Sequence, residues 1–158
     1  MEPEIVEKPA LRIAGLGTDF LSILSPNANN FEVIPALWGR YLARAGEIQR
    51  HGRDDYGIVT CEEGSDGKCH YVAGAELTAG ASAPVGMVTV DIPAGRYAVF
   101  THRGPLDRLE HTMRYIHGSW LPRSGFRYRE APEVERYGAK FNPSSPDSEL
   151  EIWIPLES

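Results

Sequence analysis

Two short stretches near the end of the chain combine carboxylates with aromatic rings. The last predicted strand, residues 149–155, alternates with period two and therefore places Glu151 and Trp153 on one face and apolar side chains on the other. Just upstream, Glu133–Tyr137 reads Glu-Val-Glu-Arg-Tyr. An amphipathic antiparallel strand with one wet face is the simpler interpretation of the last strand. Ring faces and carboxylates both attract positive charge, however, so the two stretches indicate a surface that takes up an organic cation.

The overall composition favours one globular domain. A chain of 158 residues is large enough to bury about 70% of its unfolded surface, and its 42% hydrophobic and 24% charged residues are ordinary proportions. The net charge of −6 argues against direct DNA binding, because nucleic-acid affinity comes largely from Lys and Arg on phosphates. The sequence shows no signal peptide and no apolar run long enough to span a membrane, so we expect a cytoplasmic protein without membrane contact.

The sequence predicts neither a metal nor a cofactor. Cys61 and Cys69 flank a predicted hairpin loop and could face each other, but without an export signal we expect both thiols to be free and structural. The histidines show no metal-ligand spacing. Gly15 and Gly17 are only a fragment of a dinucleotide-binding motif, because Phe20 stands where its third glycine belongs. Neither a nucleophile elbow nor a phosphate loop is found, so no catalytic residue is assigned.

The first half of the chain predicts strand, helix, strand, strand. A strand lies within 4–17, an amphipathic helix spans roughly 31–48, and strands at 55–61 and 69–77 form a hairpin. A segment rich in small residues, 78–84, then connects the halves. The apolar stripe of the helix consists of Ile34, Leu37, Trp38, Tyr41, Leu42 and Ala45.

The second half repeats this order of elements. Strands are predicted at 87–92 and 96–101, a helix at roughly 106–120, and strands at 133–141 and 149–155. The repetition predicts an α+β fold of two pseudo-symmetric strand–helix–strand–strand halves, about 4–79 and 84–157. Their strands would form one joined antiparallel sheet, with both helices on one face and a ligand groove on the other.

Four segments, taken in order, resemble the GyrI-like small-molecule-binding domain. They are Ile92–Gly104, Trp120–Gly125, Pro132–Tyr137 and Glu151–Pro155. This domain also serves as the effector-binding half of some AraC- and MerR-type transcription regulators. The resemblance implies a double strand–helix–strand–strand fold whose central groove, in multidrug-sensing members, takes lipophilic cations on aromatic rings around a buried glutamate.

The resemblance also implies site residues. Glu135 in the Pro-x-x-Glu-x-Tyr stretch looks like the buried glutamate, Glu151 and Trp153 match the last strand, and Trp120 matches a Trp-Leu-Pro at the helix end. Trp120 and Trp153 are therefore expected to line one cavity. For the remaining aromatic candidates, core or rim packing is the alternative. The full set of candidate ligand-binding residues is Glu135, Glu151, Trp153, Trp120, Tyr137, Tyr97, Trp38 and Tyr41.

Three functions follow from these expectations. The first is a stand-alone protein that binds or sequesters hydrophobic, cationic small molecules. Because the chain begins directly with the first strand of the ligand domain, we expect it to bind such molecules without itself switching a promoter. The second is a hydrolase of reactive small molecules, in which a pocket glutamate acts as general base for a water. The third is a gyrase-directed or other protein-interaction module, and a homo-oligomer or protein partner stays open.

Overall fold

The fold is built on eight strands formed by alternating apolar and polar residues. The structure, a computed structural model, describes residues 1–23, 25–64 and 66–158. Ser65, in the predicted hairpin loop, lies outside the described residues. The strands are β1 (Glu4–Lys8), β2 (Leu11–Leu21), β3 (Arg50–Cys61), β4 (Lys68–Leu77), β5 (Val88–Ile92), β6 (Gly95–Arg103), β7 (Glu133–Tyr137) and β8 (Glu149–Leu156).

Two helical regions accompany the strands. Helix α1 (Asn30–Arg44) ends in a 3₁₀ turn. The second helical region starts with a 3₁₀ turn and continues through α2 (Leu109–Tyr115), a π-helical segment (Ile116–Trp120) and the short α3 (Leu121–Arg123). Among the described helices, even α1 with its 15 residues lacks the length and hydrophobicity required to cross a bilayer.

All eight strands form one antiparallel sheet in the order β1-β6-β8-β7-β3-β4-β2-β5. The two halves meet where β7 pairs with β3, at the centre of the sheet. The edge strands are exchanged: β1, from the start of the chain, pairs with β6, and β5 pairs with β2. The predicted α+β fold with a joined antiparallel sheet is confirmed.

The strand register defines one face that carries both helices. Across the central strands, Ala73, Gly57, Glu135, Ile152 and Phe100 lie opposite one another in turn and therefore point the same way. Helix α1 packs on the cluster that contains Ala73, and the second helical region packs on the cluster that contains Ile152 and Phe100. Both helices thus lie on one face, as predicted, and we call it the helix face.

The opposite face, called here the open face, is covered at its centre by buried side chains. Ile58, Val72, Val134 and Trp153 all belong to one apolar cluster there. The sequence analysis placed the ligand groove on this face, whereas Glu135 lies on the helix face. The reason is parity: side chains alternate along a strand, and the register that pairs Glu135 with Gly57 and Ile152 was not visible in the sequence.

Several element boundaries differ from the predictions for local reasons. The predicted strand within 4–17 is two strands, because β1 and β2 pair with different partners, β6 and β4. Helix α1 ends before Gly46, and the strand predicted at 133–141 ends before Gly138, in line with the weak propensity of glycine for regular elements. The helix predicted at 106–120 changes to a π-helical turn around Gly118.

The cysteines differ from the prediction as well. Cys61 and Cys69 stand directly opposite each other on β3 and β4 and are joined by a disulfide with a Cα–Cα distance of 4.0 Å. The expectation of two free thiols is therefore wrong. It rested on the compartment in which a chain without an export signal folds, whereas the hairpin register places the two side chains side by side.

Candidate functional site

Glu135 is the centre of a hydrogen-bonded aromatic cluster on the helix face. Its carboxylate oxygen Oε1 accepts hydrogen bonds from the hydroxyls of Tyr71, at 2.7 Å, and Tyr137, at 2.8 Å. The indole Nε1 of Trp38 in turn donates to the Tyr71 hydroxyl at 3.0 Å. Oε2 of Glu135 has no hydrogen-bond donor in the part of the chain that the structure describes. These four residues form what we call the Glu135 site.

A glycine makes room for this arrangement. Gly57 faces Glu135 across the β3–β7 pair. A Cβ atom at Gly57 would overlap with the Tyr71 hydroxyl and lie 2.7 Å from Oε1 of Glu135. The missing side chain therefore allows Tyr71, which comes from β4, to reach across β3 to the carboxylate.

Aromatic rings surround the carboxylate on both sides. The rings of Trp38 and Tyr137 meet edge to face with their centroids 5.1 Å apart, which joins α1 to β7. Phe141 packs against the other side of Tyr137 at 4.7 Å. Tyr71 is fully buried, whereas Trp38, Tyr137 and Glu135 are half-buried. The site is therefore a ring-lined carboxylate that keeps some contact with solvent.

The surroundings oppose the charge of Glu135. Burial raises the pKa of the Glu135 carboxyl, the hydrogen bonds from Tyr71 and Tyr137 act in the opposite direction, and the charge of Glu133 adds to the rise. Burial and the neighbouring carboxylate also raise the pKa of both tyrosine hydroxyls well above the usual range. Both phenols therefore stay neutral, and they can donate hydrogen bonds but supply no positive charge.

Two further carboxylates on the same face have different partners. Asp55, opposite Tyr137 on β3, pairs with Arg50 at 2.9 Å and accepts a hydrogen bond from the hydroxyl of Tyr41 at 2.8 Å. Tyr41 itself is fully buried. It therefore belongs to the core and anchors Asp55, and its phenol shows no hydrogen bond to Glu135.

Glu133 lies two residues before Glu135 on the same face of β7. Its Oε1 lies 3.0 Å from Nε2 of His117, and its Oε2 accepts a hydrogen bond from the hydroxyl of Tyr128 at 2.9 Å. Of the three carboxylates, one is held by a guanidinium and one by an imidazole. Among the described residues, Glu135 is held by neutral hydroxyls alone.

Three of the predicted site residues lie on the open face instead. Trp153 donates from Nε1 to Oε1 of Glu151 at 3.0 Å, and Arg136 contacts the same oxygen at 3.4 Å. The ammonium group of Lys8 lies 4.3 Å from the centroid of the Trp153 ring. Tyr97 packs edge-on against that ring at 5.9 Å. Glu151 and Trp153, which the resemblance placed with Glu135, are therefore separated from it by the sheet, and two cations of the chain itself already contact them.

Trp120 occupies a third environment. It packs edge-on against Phe100 at 5.0 Å and stacks with Phe126 at 6.1 Å, beneath the second helical region. It also lines an open cleft of about 440 Å³ beside β1. Because Trp120 lies on the helix face and Trp153 on the open face, the expectation that both line one cavity is wrong.

Sequence reasoning missed Tyr71 and Gly57. Both lie in the predicted hairpin, and neither stands in a stretch that carries the resemblance. The only signal was a glycine on one strand and a large aromatic on the next. In the folded sheet Gly57 pairs with Ala73 and Tyr71 with Val59, so Tyr71 reaches over Gly57 diagonally, and that register is not visible in the sequence. Of the predicted candidates, the structure brings together Glu135, Tyr137 and Trp38.

Comparison with known proteins agrees with the fold and identifies the family. The model of the GyrI-like small molecule binding domain matches residues 1–157, so the chain belongs to this family. The chain is 33% identical over 161 residues to the transcriptional regulator BrlR of Pseudomonas aeruginosa. That match covers 99% of the chain but only 56% of BrlR, so the chain spans about half the length of this relative.

Solved structures with low sequence identity share the fold. SAV2435, solved bound to tetraphenylphosphonium, superimposes with a TM-score of 0.79 at 18% identity and covers 100% of this chain and 95% of its own. The C-terminal domain of EcmrR gives a TM-score of 0.69 at 17% identity and covers 99% of this chain and 98% of its own. The relatives of this chain thus include a transcriptional regulator, and the C-terminal domain of EcmrR shares its fold.

Proposed function

We propose that this chain binds hydrophobic cationic small molecules at the Glu135 site and thereby captures or senses drug-like or toxic cations. The observation that carries the proposal is the pairing of Glu135: a half-buried carboxylate held by two neutral phenols and enclosed by aromatic rings. A carboxylate in such surroundings gains most from a ligand that brings the missing positive charge.

The rings supply the second part of the recognition. Trp38 and Tyr137 are half-buried and touch each other edge to face above the sheet, so a flat or ring-bearing cation can contact their faces once they separate. Contact between a desolvated cation and an aromatic face contributes about 2 kcal/mol. The family to which the chain belongs supports small-molecule binding, and the ligand of SAV2435, tetraphenylphosphonium, is a lipophilic cation.

Binding should be linked to protons at Glu135. The raised pKa of Glu135 means that the carboxyl binds a proton more readily in the empty protein than an ordinary glutamate does. A bound cation favours the ionised form, so binding lowers this pKa and releases a proton wherever the empty site is protonated. Affinity should accordingly fall as the pH falls through the pKa of the empty site.

The test compares a cation with a neutral molecule of similar shape. Tetraphenylphosphonium and triphenylphosphine oxide are titrated by calorimetry into the wild type, Glu135→Gln and Glu151→Gln. We expect Glu135→Gln to weaken cation binding about tenfold or more, roughly 1.4 kcal/mol, and to leave the neutral ligand nearly unchanged. Glu151→Gln removes the same charge from the other face and should change cation affinity by less than about twofold.

Two outcomes would contradict the proposal. Equal losses for the cation and the neutral ligand would mean that Glu135 shapes the site without supplying its charge. A loss confined to Glu151→Gln would move cation binding to the open face. Turnover of an electrophilic ligand is measured in parallel. Steady turnover would favour a hydrolase in which Glu135 acts as general base for a water.

A further inference from the structure

Helix α1 carries two apolar stripes, and only one of them is packed. The inner stripe, which includes Leu37 and Tyr41, is buried in the cluster against β2 and β4. A second stripe follows the helical spacing i, i+4, i+7, i+11 along one flank of the helix. This outer stripe consists of Phe31, Pro35, Trp38 and Leu42.

Most of the outer stripe is open to solvent. Phe31 is 67% exposed and Leu42 is 60% exposed. Pro35 between them is also exposed. Single exposed apolar side chains are ordinary, but a row of them on one helix flank is informative. Because helices in globular proteins normally show one apolar stripe opposite a polar face, a second unpacked stripe indicates a surface that something else covers.

The position of Trp38 identifies what this surface adjoins. Trp38 is the one member of the outer stripe that reaches the Glu135 site, where it contacts Tyr137 and donates to Tyr71. Leu42 lies one helical turn from Trp38, about 6 Å along the axis, and Phe31 lies about 10 Å away in the other direction. The stripe therefore passes the ring-lined carboxylate at Trp38 and extends the apolar surface of that site by about 6 Å toward Leu42 and by about 10 Å toward Phe31.

We propose that the outer stripe of α1 is a track for the alkyl tail of an amphiphilic cation whose charged head is bound at Glu135. This inference rests on the proposed function and makes it more specific, since it selects tailed quaternary ammonium ions over compact cations. Charge complementarity fixes the head at Glu135, because the carboxylate is negative and the stripe is uncharged. The tail then leaves Trp38 along the flank of α1, either toward Leu42 or over the longer distance toward Phe31.

The expected gain in affinity follows from burial. A fully buried methylene contributes about 0.8 kcal/mol, or about fourfold in affinity. A tail on an open track keeps one side in water, so we expect about twofold for each added methylene over the part of the tail that contacts the stripe. This stepwise gain distinguishes a track from a closed pocket, which would reject tails beyond a fixed length.

The experiment uses n-alkyltrimethylammonium ions, from butyl to dodecyl and below their micelle-forming concentrations, titrated into the whole chain. In the wild type, affinity should rise with each methylene. In at least one of Leu42→Ser and Phe31→Ser, the rise per methylene should fall by about half, and in both the butyl member should bind within about twofold of wild type. Val85→Ser is the matched control, because Val85 is 93% exposed and lies outside α1, and it should leave the whole series unchanged.

Glu135→Gln separates this inference from the proposed function on which it rests. It should weaken every member of the series about equally and keep the rise with tail length. A wild-type affinity that does not depend on tail length, or a rise that persists unchanged in both serine variants, would overturn the track while leaving cation binding at Glu135 intact. An absence of binding by the whole series would overturn both.

The alternative explanation for the exposed stripe is that another protein surface, such as a second copy of the chain, covers it. Sedimentation of the wild type and of Leu42→Ser without ligand measures this directly. An oligomer that dissociates in Leu42→Ser, together with a tail-length dependence that the variant does not alter, would assign the stripe to protein association and overturn the proposal. We expect both proteins to sediment alike.

Discussion

The sheet carries a carboxylate and aromatic rings on each of its faces, and the two clusters differ in where the positive charge comes from. On the open face, Glu151 contacts Arg136 and the ring of Trp153 lies beneath Lys8. On the helix face, Glu135 receives two phenol hydroxyls and no cationic side chain among the described residues. The carboxylate and ring on the open face thus have cationic partners from the chain itself, whereas Glu135 on the helix face has none among the described residues.

This difference shows why residue type alone does not define a cation site. A carboxylate beside a tryptophan attracts positive charge in either setting. On the open face that attraction is already used by Lys8 and Arg136, and it stabilises the fold. On the helix face, no cationic side chain of the described residues uses it, and this is the basis of the proposed ligand site. The partners of an acid–aromatic pair, and not the pair itself, therefore distinguish a structural cluster from a binding site.

Removing Trp153 should have the largest effect, and the effect should be on stability. Trp153 is 3% exposed and packs against Tyr56 and Tyr97. Truncation of a buried tryptophan leaves a cavity, so Trp153→Ala should lower the free energy of unfolding by about 3–5 kcal/mol in urea denaturation. Trp153→Phe should fold with a smaller loss and bind tetraphenylphosphonium as the wild type does.

The matched substitution on the other face is Trp38→Phe. Because Trp38 is half-buried, this change should cost less stability than Trp153→Phe but should weaken cation binding. If Trp153→Phe were the variant that lost affinity, the two faces would have the opposite roles.

Neutralising each glutamate should change stability with opposite sign. The raised pKa of Glu135 means that its folded form prefers the proton, so its contribution to stability is greatest below the unfolded-state pKa and is lost as the pH rises through the folded-state pKa. Glu135→Gln keeps an acceptor for both phenols and should therefore stabilise the empty protein at about pH 8, by on the order of 1 kcal/mol, but not at about pH 4.

Glu151→Gln provides the comparison. It removes one of two carboxylate partners of Arg136, which also pairs with Asp54, and should lower stability at neutral pH by about 0–1 kcal/mol, because the Glu151–Arg136 pair is more than one-third exposed. Added salt should diminish this loss. Thermal unfolding of both variants at the two pH values checks the pair of signs, and a stabilising effect of Glu151→Gln would remove the contrast between the faces.

Lys8→Met should give a similarly small effect. The substitution keeps an unbranched apolar chain over the Trp153 ring but removes the charge, so we expect a loss of about 0.5–1 kcal/mol in unfolding free energy. Binding of tetraphenylphosphonium at the Glu135 site should not change. If Lys8→Met created a second binding event in calorimetry, the open face would be a cation site that the chain normally fills with its own lysine.

Much of the fold could be predicted from the sequence because it depends on local patterns. Period-two and helical periodicities located the strands and both helical regions, and the repeated order of elements predicted one antiparallel sheet with both helices on one face. The family resemblance pointed to Glu135 and Tyr137, the apolar stripe of the first helix pointed to Trp38, and the structure brings these three together. These features need no knowledge of which strand lies beside which.

The tertiary structure alone decided everything that depends on register. A shift of one residue along a strand moves a side chain to the other face, so neither the separation of Glu151 and Trp153 from Glu135 nor the disulfide between Cys61 and Cys69 could be derived from spacing. Tyr71 is the clearest case. Its hydroxyl reaches Glu135, sixty-four positions along the chain, only because the intervening strand presents Gly57 at the crossing point. Sequence determined which residue types are available for a cation site, and the alignment of the strands determined which of them come together around one carboxylate.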